Sequence, residues 1–173
     1  MTYQRFEDLP VWKAAMDFAV MVFELLEDRA FDRCGDVRDQ LQRAALSIGN
    51  NIAEGFERGS TAELLMFLYI ARGSAGESRS VLRFCERLPR FAHLHSRVAD
   101  LIQRGIAISR QIRGWTDSLQ NTDIQGQRHL NEHTRREYDQ TRRTQAFLSK
   151  LQEIRERGHK SEDNPPDPDE AET

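Results

Sequence analysis

Leu94, Val98, Leu101, Gly105, Ile108, Ile112, Trp115 and Leu119 follow one another at intervals of three and four without a break. Such a spacing keeps eight positions on one face of a helix and off any single face of a strand. A helix of that length with one apolar seam is unstable alone in water and must lie against other helices. Three further stretches supply them. Pro10 suits a first helical turn, and Trp12, Ala15, Ala19, Val22 and Leu26 continue a seam from there toward Asp28. Val37, Leu41, Ala44 and Ile48 mark a second helix over 36–57, after a loop at 29–35. Leu64, Leu68, Ala71, Ala75, Ser78, Leu82 and Cys85 mark a third, which Pro89 stops. Between them, Ser60-Thr61-Ala62-Glu63 has the form of a capping box. No segment alternates like a strand. The expectation is an all-α, antiparallel up-down-up-down four-helix bundle over residues 1–122.

Residues 123–173 form a polar tail. Phe147, Leu151 and Ile154 fit a marginal helix over 135–157. Residues 161–173 hold six acids, three prolines and no base, a composition expected to be disordered from about residue 158.

The first helix carries more apolar surface than one seam requires. Val11, Phe18 and Leu25 add a second stripe, and Lys13, Asp17, Glu24, Glu27 and Asp28 share one narrow face at ~100° per residue. Either the helix is wedged deep in its own bundle, or the extra stripe meets another subunit. The second reading makes Val11, Phe18 and Leu25 an oligomer interface. In the third helix, Gly73 and Gly76 break helical preference, suggesting a neighbouring backbone pressed against that turn.

Charge is unevenly distributed. The chain's net charge is only −3, yet residues 72–113 hold nine arginines, no lysine and three acids. Arg72, Arg79, Arg83 and Arg87 fall within about 80° of one another around the third helix. Arg90, Arg97 and Arg104 extend the basic surface into the next turn and helix. Guanidinium groups grip phosphate through paired donors, so this face is a candidate nucleic-acid surface. The alternative is a solvated face, or one paired with acids of the first two helices. Aromatic residues do not interleave with the arginines, which disfavours base stacking.

Evidence for chemistry is sparse. Residues 1–122 hold no Glu-x-x-His and the chain has no His-Glu-x-x-His; His129 and His133 lie in the polar tail. Cys34 and Cys85 have neither metal nor disulfide spacing, which fits a reducing cytosol. No run approaches the ~20 apolar residues of a membrane span, and the N-terminus lacks a signal-peptide pattern. Arg43, Asn51, Glu54 and Glu77 could form a catalytic acid–base group or a polar network fixing helix register. Without a nucleophile elbow, Gly-rich phosphate loop or Cys–His arrangement beside them, the network is the expectation. Neither cofactor nor metal is expected, and the chain reads as a non-enzyme.

Ser47-Ile48 followed by Asn51-Ile52-Ala53-Glu54-Gly55-Phe56 resembles the signature of the four-helix-bundle proteins encoded in 23S rRNA intervening sequences. Further matches are Phe6, Leu9, Val11 and Trp12, then Gln40 and Arg43-Ala44-Ala45, then Phe67-Leu68, Ala71-Arg72-Gly73-Ser74 and Glu77. They cover roughly residues 5–122. Gly49 stands where that family often has proline. The resemblance implies a homopentamer. A weaker similarity, to the accessory variability proteins of diversity-generating retroelements, implies a reverse transcriptase and nucleic acid as partners; the alternative to an RNA-binding role is a protein-binding scaffold.

Overall fold

Pro10 starts α1 (Pro10–Leu26), where its missing N–H costs no hydrogen bond, and Leu9 before it is extended as a residue preceding proline must be. A computed structural model describes residues 3–121, together with residues 140, 143, 144 and 148–150. The expected tail helix over 135–157 lies outside the described residues apart from those six positions, which are helical. The segment from 158 lies wholly outside. The chain divides into two units, residues 1–128 and 129–173, and the bundle belongs to the first.

The loop expected after α1 is more ordered than its composition suggests. Asp28 accepts a hydrogen bond from the Ala30 N–H at 2.8 Å and caps a short 3-10 turn, Arg29–Phe31. That turn buries Phe31 against Phe91, with ring centroids 4.7 Å apart. Arg33 then takes a left-handed φ of 68° before α2 (Gly35–Glu57) begins. Gly49 leaves α2 unbroken.

Three residues separate α2 from α3 (Thr61–Glu86). The Ser60 hydroxyl accepts the Glu63 N–H and donates to the Glu63 carboxylate, so the capping motif forms. All seven predicted seam residues of α3 are buried. Pro89 opens a 3-10 turn, Pro89–Leu94, and α4 (His95–Gln120) follows. The seam of α4 is buried from Leu94 to Ile112, while Trp115 and Leu119 are half-buried. Helix α1 packs on α2 and α4, α2 on α3, and α3 on α4, giving the four-helix bundle.

Three glycines allow close approach, and they are not the two expected. A Cβ on Gly73 would meet nothing within 4 Å, and one on Gly76 would meet only an Arg79 side-chain nitrogen at 3.8 Å. Both lie off the α3 seam, so no neighbouring backbone presses on them. The tight positions are Gly49 against Met16, Gly55 against Phe67 and Leu64, and Gly105 against Arg79.

Candidate nucleic-acid interface

Gly105 sets the register of the basic face. A Cβ there would stand 2.8 Å from Arg79 Cγ and 3.2 Å from Cδ. Only glycine lets the Arg79 stem lie across α4. Because α3 and α4 run antiparallel, Arg72, seven residues before Arg79, lies near positions seven residues beyond Gly105. The result is a groove of about 490 Å³ into which Arg72 and Arg79 project from α3, and Arg110 and Arg113 from α4. Tyr69, Gly73, Ile106 and Ser109 complete it.

Within the groove the cations are little neutralised. Arg79 Nε donates to the Ala75 carbonyl at 3.3 Å, and its terminal nitrogens have no hydrogen-bond partner among the described residues. Arg72 stacks over Tyr69 at 5.7 Å, and the Tyr69 hydroxyl accepts from Gln120 at 2.7 Å. Arg113 has a loose ion pair to Asp117 at 3.6 Å. Among the described residues, Arg72, Arg79 and Arg110 have no carboxylate partner. The buried Ser109 hydroxyl likewise has no hydrogen-bond partner there.

The remaining predicted arginines serve other purposes. Arg83 pairs with Glu86 at 2.7 Å and Arg104 with Asp100 at 2.8 Å, each along its own helix. Arg90 donates to the Asp32 carbonyl at 2.8 Å and to Cys34 Sγ at 3.1 Å, tying the start of the second 3-10 turn to the α1–α2 connection. Arg87 is exposed with no partner among the described residues. Arg97 lines a separate groove beside Glu24 and Asp100. The seven-residue stripe is therefore divided, and two groove members, Arg110 and Arg113, lie outside the stripe expected from the sequence. The signal for them was glycine at seam position 105 of α4, which implies a long side chain crossing from α3.

The polar network is also divided. Asn51 donates to the Ser47 carbonyl at 2.7 Å and to Ser47 Oγ at 2.9 Å. Ser74 Oγ donates to the Ile70 carbonyl, so Ser47 must donate across the 2.9 Å contact between the two hydroxyls. This relay joins α2 to α3 and uses two serines that the sequence reading placed in the family resemblance but not in the polar network. Separately, Arg43 donates to Gln40 at 3.2 Å, and Gln40 donates to Glu77. Glu54 joins neither group. It is half exposed and pairs with Arg58 at 2.6 Å, one turn along.

Val11, Phe18 and Leu25 are not available to another subunit, which corrects the interface expectation. All three are buried within the chain's own bundle, and the Phe18 ring reaches the Gly105 position on α4. Packed between α2 and α4, α1 uses both stripes internally. Its exposed large apolar residues are instead Val20 (55% exposed) and Phe23; on α3 they are Met66, Tyr69, Ile70 and Phe84.

Asp28 and Cys85 are among the titrating groups displaced from their ordinary values. The Asp28 carboxyl is held low by the Ala30 N–H and by His93, whose Nε2 lies 3.1 Å away. Burial pushes the Cys85 thiol up to about 11. Among the described residues, no group of three or more His, Cys, Asp or Glu side chains gathers as metal ligands would. Nor is any helix among them long and apolar enough to cross a membrane.

Fold and surface together define an all-α four-helix bundle with an arginine-lined groove between its last two helices. Residues 7–114 match the model of the 23S rRNA-intervening sequence protein family, and the chain belongs to that family. No curated protein matches it.

Proposed function

We propose that this chain is a non-enzymatic protein that assembles with copies of itself and binds RNA through phosphate contacts on its α3–α4 face. One observation carries the reading. Residues 3–60, which include α1 and α2, hold 11 acids against 7 bases, whereas residues 61–121, which include α3 and α4, hold 9 bases against 5 acids. The arginines of the groove, with Arg87 just beyond the end of α3, are the least neutralised part of that basic half among the described residues. Its contacts are with phosphate rather than bases, since Tyr69 is the only aromatic residue among the described residues lining the groove and Arg72 already stacks on it.

Assembly is supported by the same partition. An acidic half and a basic half on one molecule favour head-to-tail contact, which closes into a ring when the rotation permits. Val20 and Phe23 on one half and Met66 and Ile70 on the other supply apolar surface for such a contact. A ring repeats each basic groove, so individually weak contacts add by avidity. The pentamer implied by the family resemblance is one such closed ring.

Fluorescence anisotropy with single-stranded RNA at stepped salt concentrations tests the binding. Affinity should fall steeply with salt, with a slope set by the number of phosphates neutralised. Replacing Arg72, Arg87 and Arg110 together by Gln should weaken binding to all sequences alike and flatten that slope. Absence of binding at ~50 mM salt, where such contacts are strong, removes the RNA reading.

A further inference from the structure

The groove between α3 and α4 is more specific than a basic face requires. It brings four guanidinium groups from two helices to one concavity with no carboxylate among the described residues that line it. Three features show that it is built rather than incidental. Gly105 is the only residue type that admits the Arg79 stem. Gly73 leaves the α3 side open, where any larger residue would begin to fill the space. Ser109, a lining residue, has a solvent-shielded hydroxyl with no hydrogen-bond partner among the described residues, and an unmade buried hydrogen bond is destabilising unless something completes it.

Charge and shape point to one ligand chemistry. A backbone phosphodiester carries one charge, whereas a phosphate monoester carries about −1.5 to −2 at neutral pH and offers three terminal oxygens. Guanidinium forks match such oxygens in pairs, and a serine hydroxyl can donate to the remaining one. A volume of about 490 Å³ lies within the range of small-ligand sites and exceeds what a lone phosphate needs. We infer that the groove formed by Arg72, Arg79, Arg110, Arg113 and Ser109 is a seat for a nucleotide 5′-phosphate monoester. The inference rests on the reading of this face as a phosphate-binding surface, and gives it an end-group preference. The monoester has two sources: the 5′ end of an RNA strand, or a free mononucleotide.

The test compares three probes on the full chain by anisotropy and calorimetry: a 5′-phosphorylated RNA oligonucleotide, the same strand with a 5′-hydroxyl, and a nucleoside 5′-monophosphate. The 5′-phosphorylated strand should bind about ten-fold more tightly than the 5′-hydroxyl strand, a preference of the size of one charge-assisted contact. In Arg72→Gln/Arg110→Gln that preference should disappear, and in Ser109→Ala it should shrink. Both arginines are exposed and without carboxylate partners among the described residues, so an unchanged circular dichroism melt confirms that the double variant is folded. If the mononucleotide competes with the phosphorylated strand, the seat takes either source; if it does not, the seat belongs to RNA ends. Equal binding of the two strands with no mononucleotide binding overturns the seat and leaves general RNA binding intact. Mononucleotide binding that the double variant loses, with no RNA binding at all, upholds the seat and overturns the RNA reading. Binding of none of the probes overturns both.

Discussion

Phe67 Cβ lies 2.8 Å from the position a Cβ on Gly55 would occupy. There α2 and α3 touch at the root of a side chain, which cannot swing away as a side-chain tip can. Gly55→Ala should therefore destabilise the bundle by about 1–3 kcal/mol, the usual cost of overpacking. Gly73→Ala should do the opposite. Its Cβ enters open space, and a helix interior gains about 0.8–1 kcal/mol when alanine replaces glycine. Thermal melts of the two variants, compared with wild type, should move in opposite directions.

The Ser47–Ser74 relay makes a sharper distinction than burial alone. Ser47→Ala removes both an acceptor for Asn51 and the donor to Ser74, and should cost about 0.5–1.5 kcal/mol per hydrogen bond lost. Glu54→Ala, by contrast, breaks only a solvent-exposed pair with Arg58 and should leave the melting temperature essentially unchanged. Chemical denaturation of both variants checks the pair.

Stability should decline at both ends of the pH scale, for opposite reasons. Asp28 is held below its ordinary value of 3.8, so its contribution is complete above that pH and is lost as pH falls through the lower folded value. Cys85 moves from 9.0 up to about 11. The unfolded thiol then ionises first, and stability falls as pH climbs from 9 toward 11. A melting series across pH should show both flanks. In the native state at neutral pH, iodoacetamide should label half-buried Cys34 well before buried Cys85.

Two kinds of glutamate substitution separate folding from assembly. Phe18→Glu places a carboxylate in a fully buried site and should abolish the native fold. Val20→Glu with Ile70→Glu alters exposed positions and should preserve helical content while dissociating the oligomer. Light scattering and circular dichroism together read both outcomes, and a monomeric wild type removes the assembly reading.

What the sequence revealed depended on the range of the interaction. The seams of α3 and α4 and the Ser60–Glu63 cap were legible because helical period and capping act within a few residues. Phe18 was misplaced because periodicity marks a face as apolar without saying which neighbour covers it. Arg110 and Arg113 escaped for a related reason. Their meeting with Arg72 depends on the sliding register of two helices, which the Arg79–Gly105 contact fixes and neither helix's own period contains. Phe31 looked like loop because the force ordering it is a distant partner, Phe91.

The division of charge between the two halves of the bundle has a practical side. A net charge of −3 suggests a protein that anion-exchange resin holds and cation-exchange resin ignores. With acids gathered along α1 and α2 and arginines along α3 and α4, the bundle instead has a permanent transverse dipole. At low ionic strength it should be retained by resins of either sign, meeting each with a different side. Its isoelectric point is consequently a poor guide to the company it keeps.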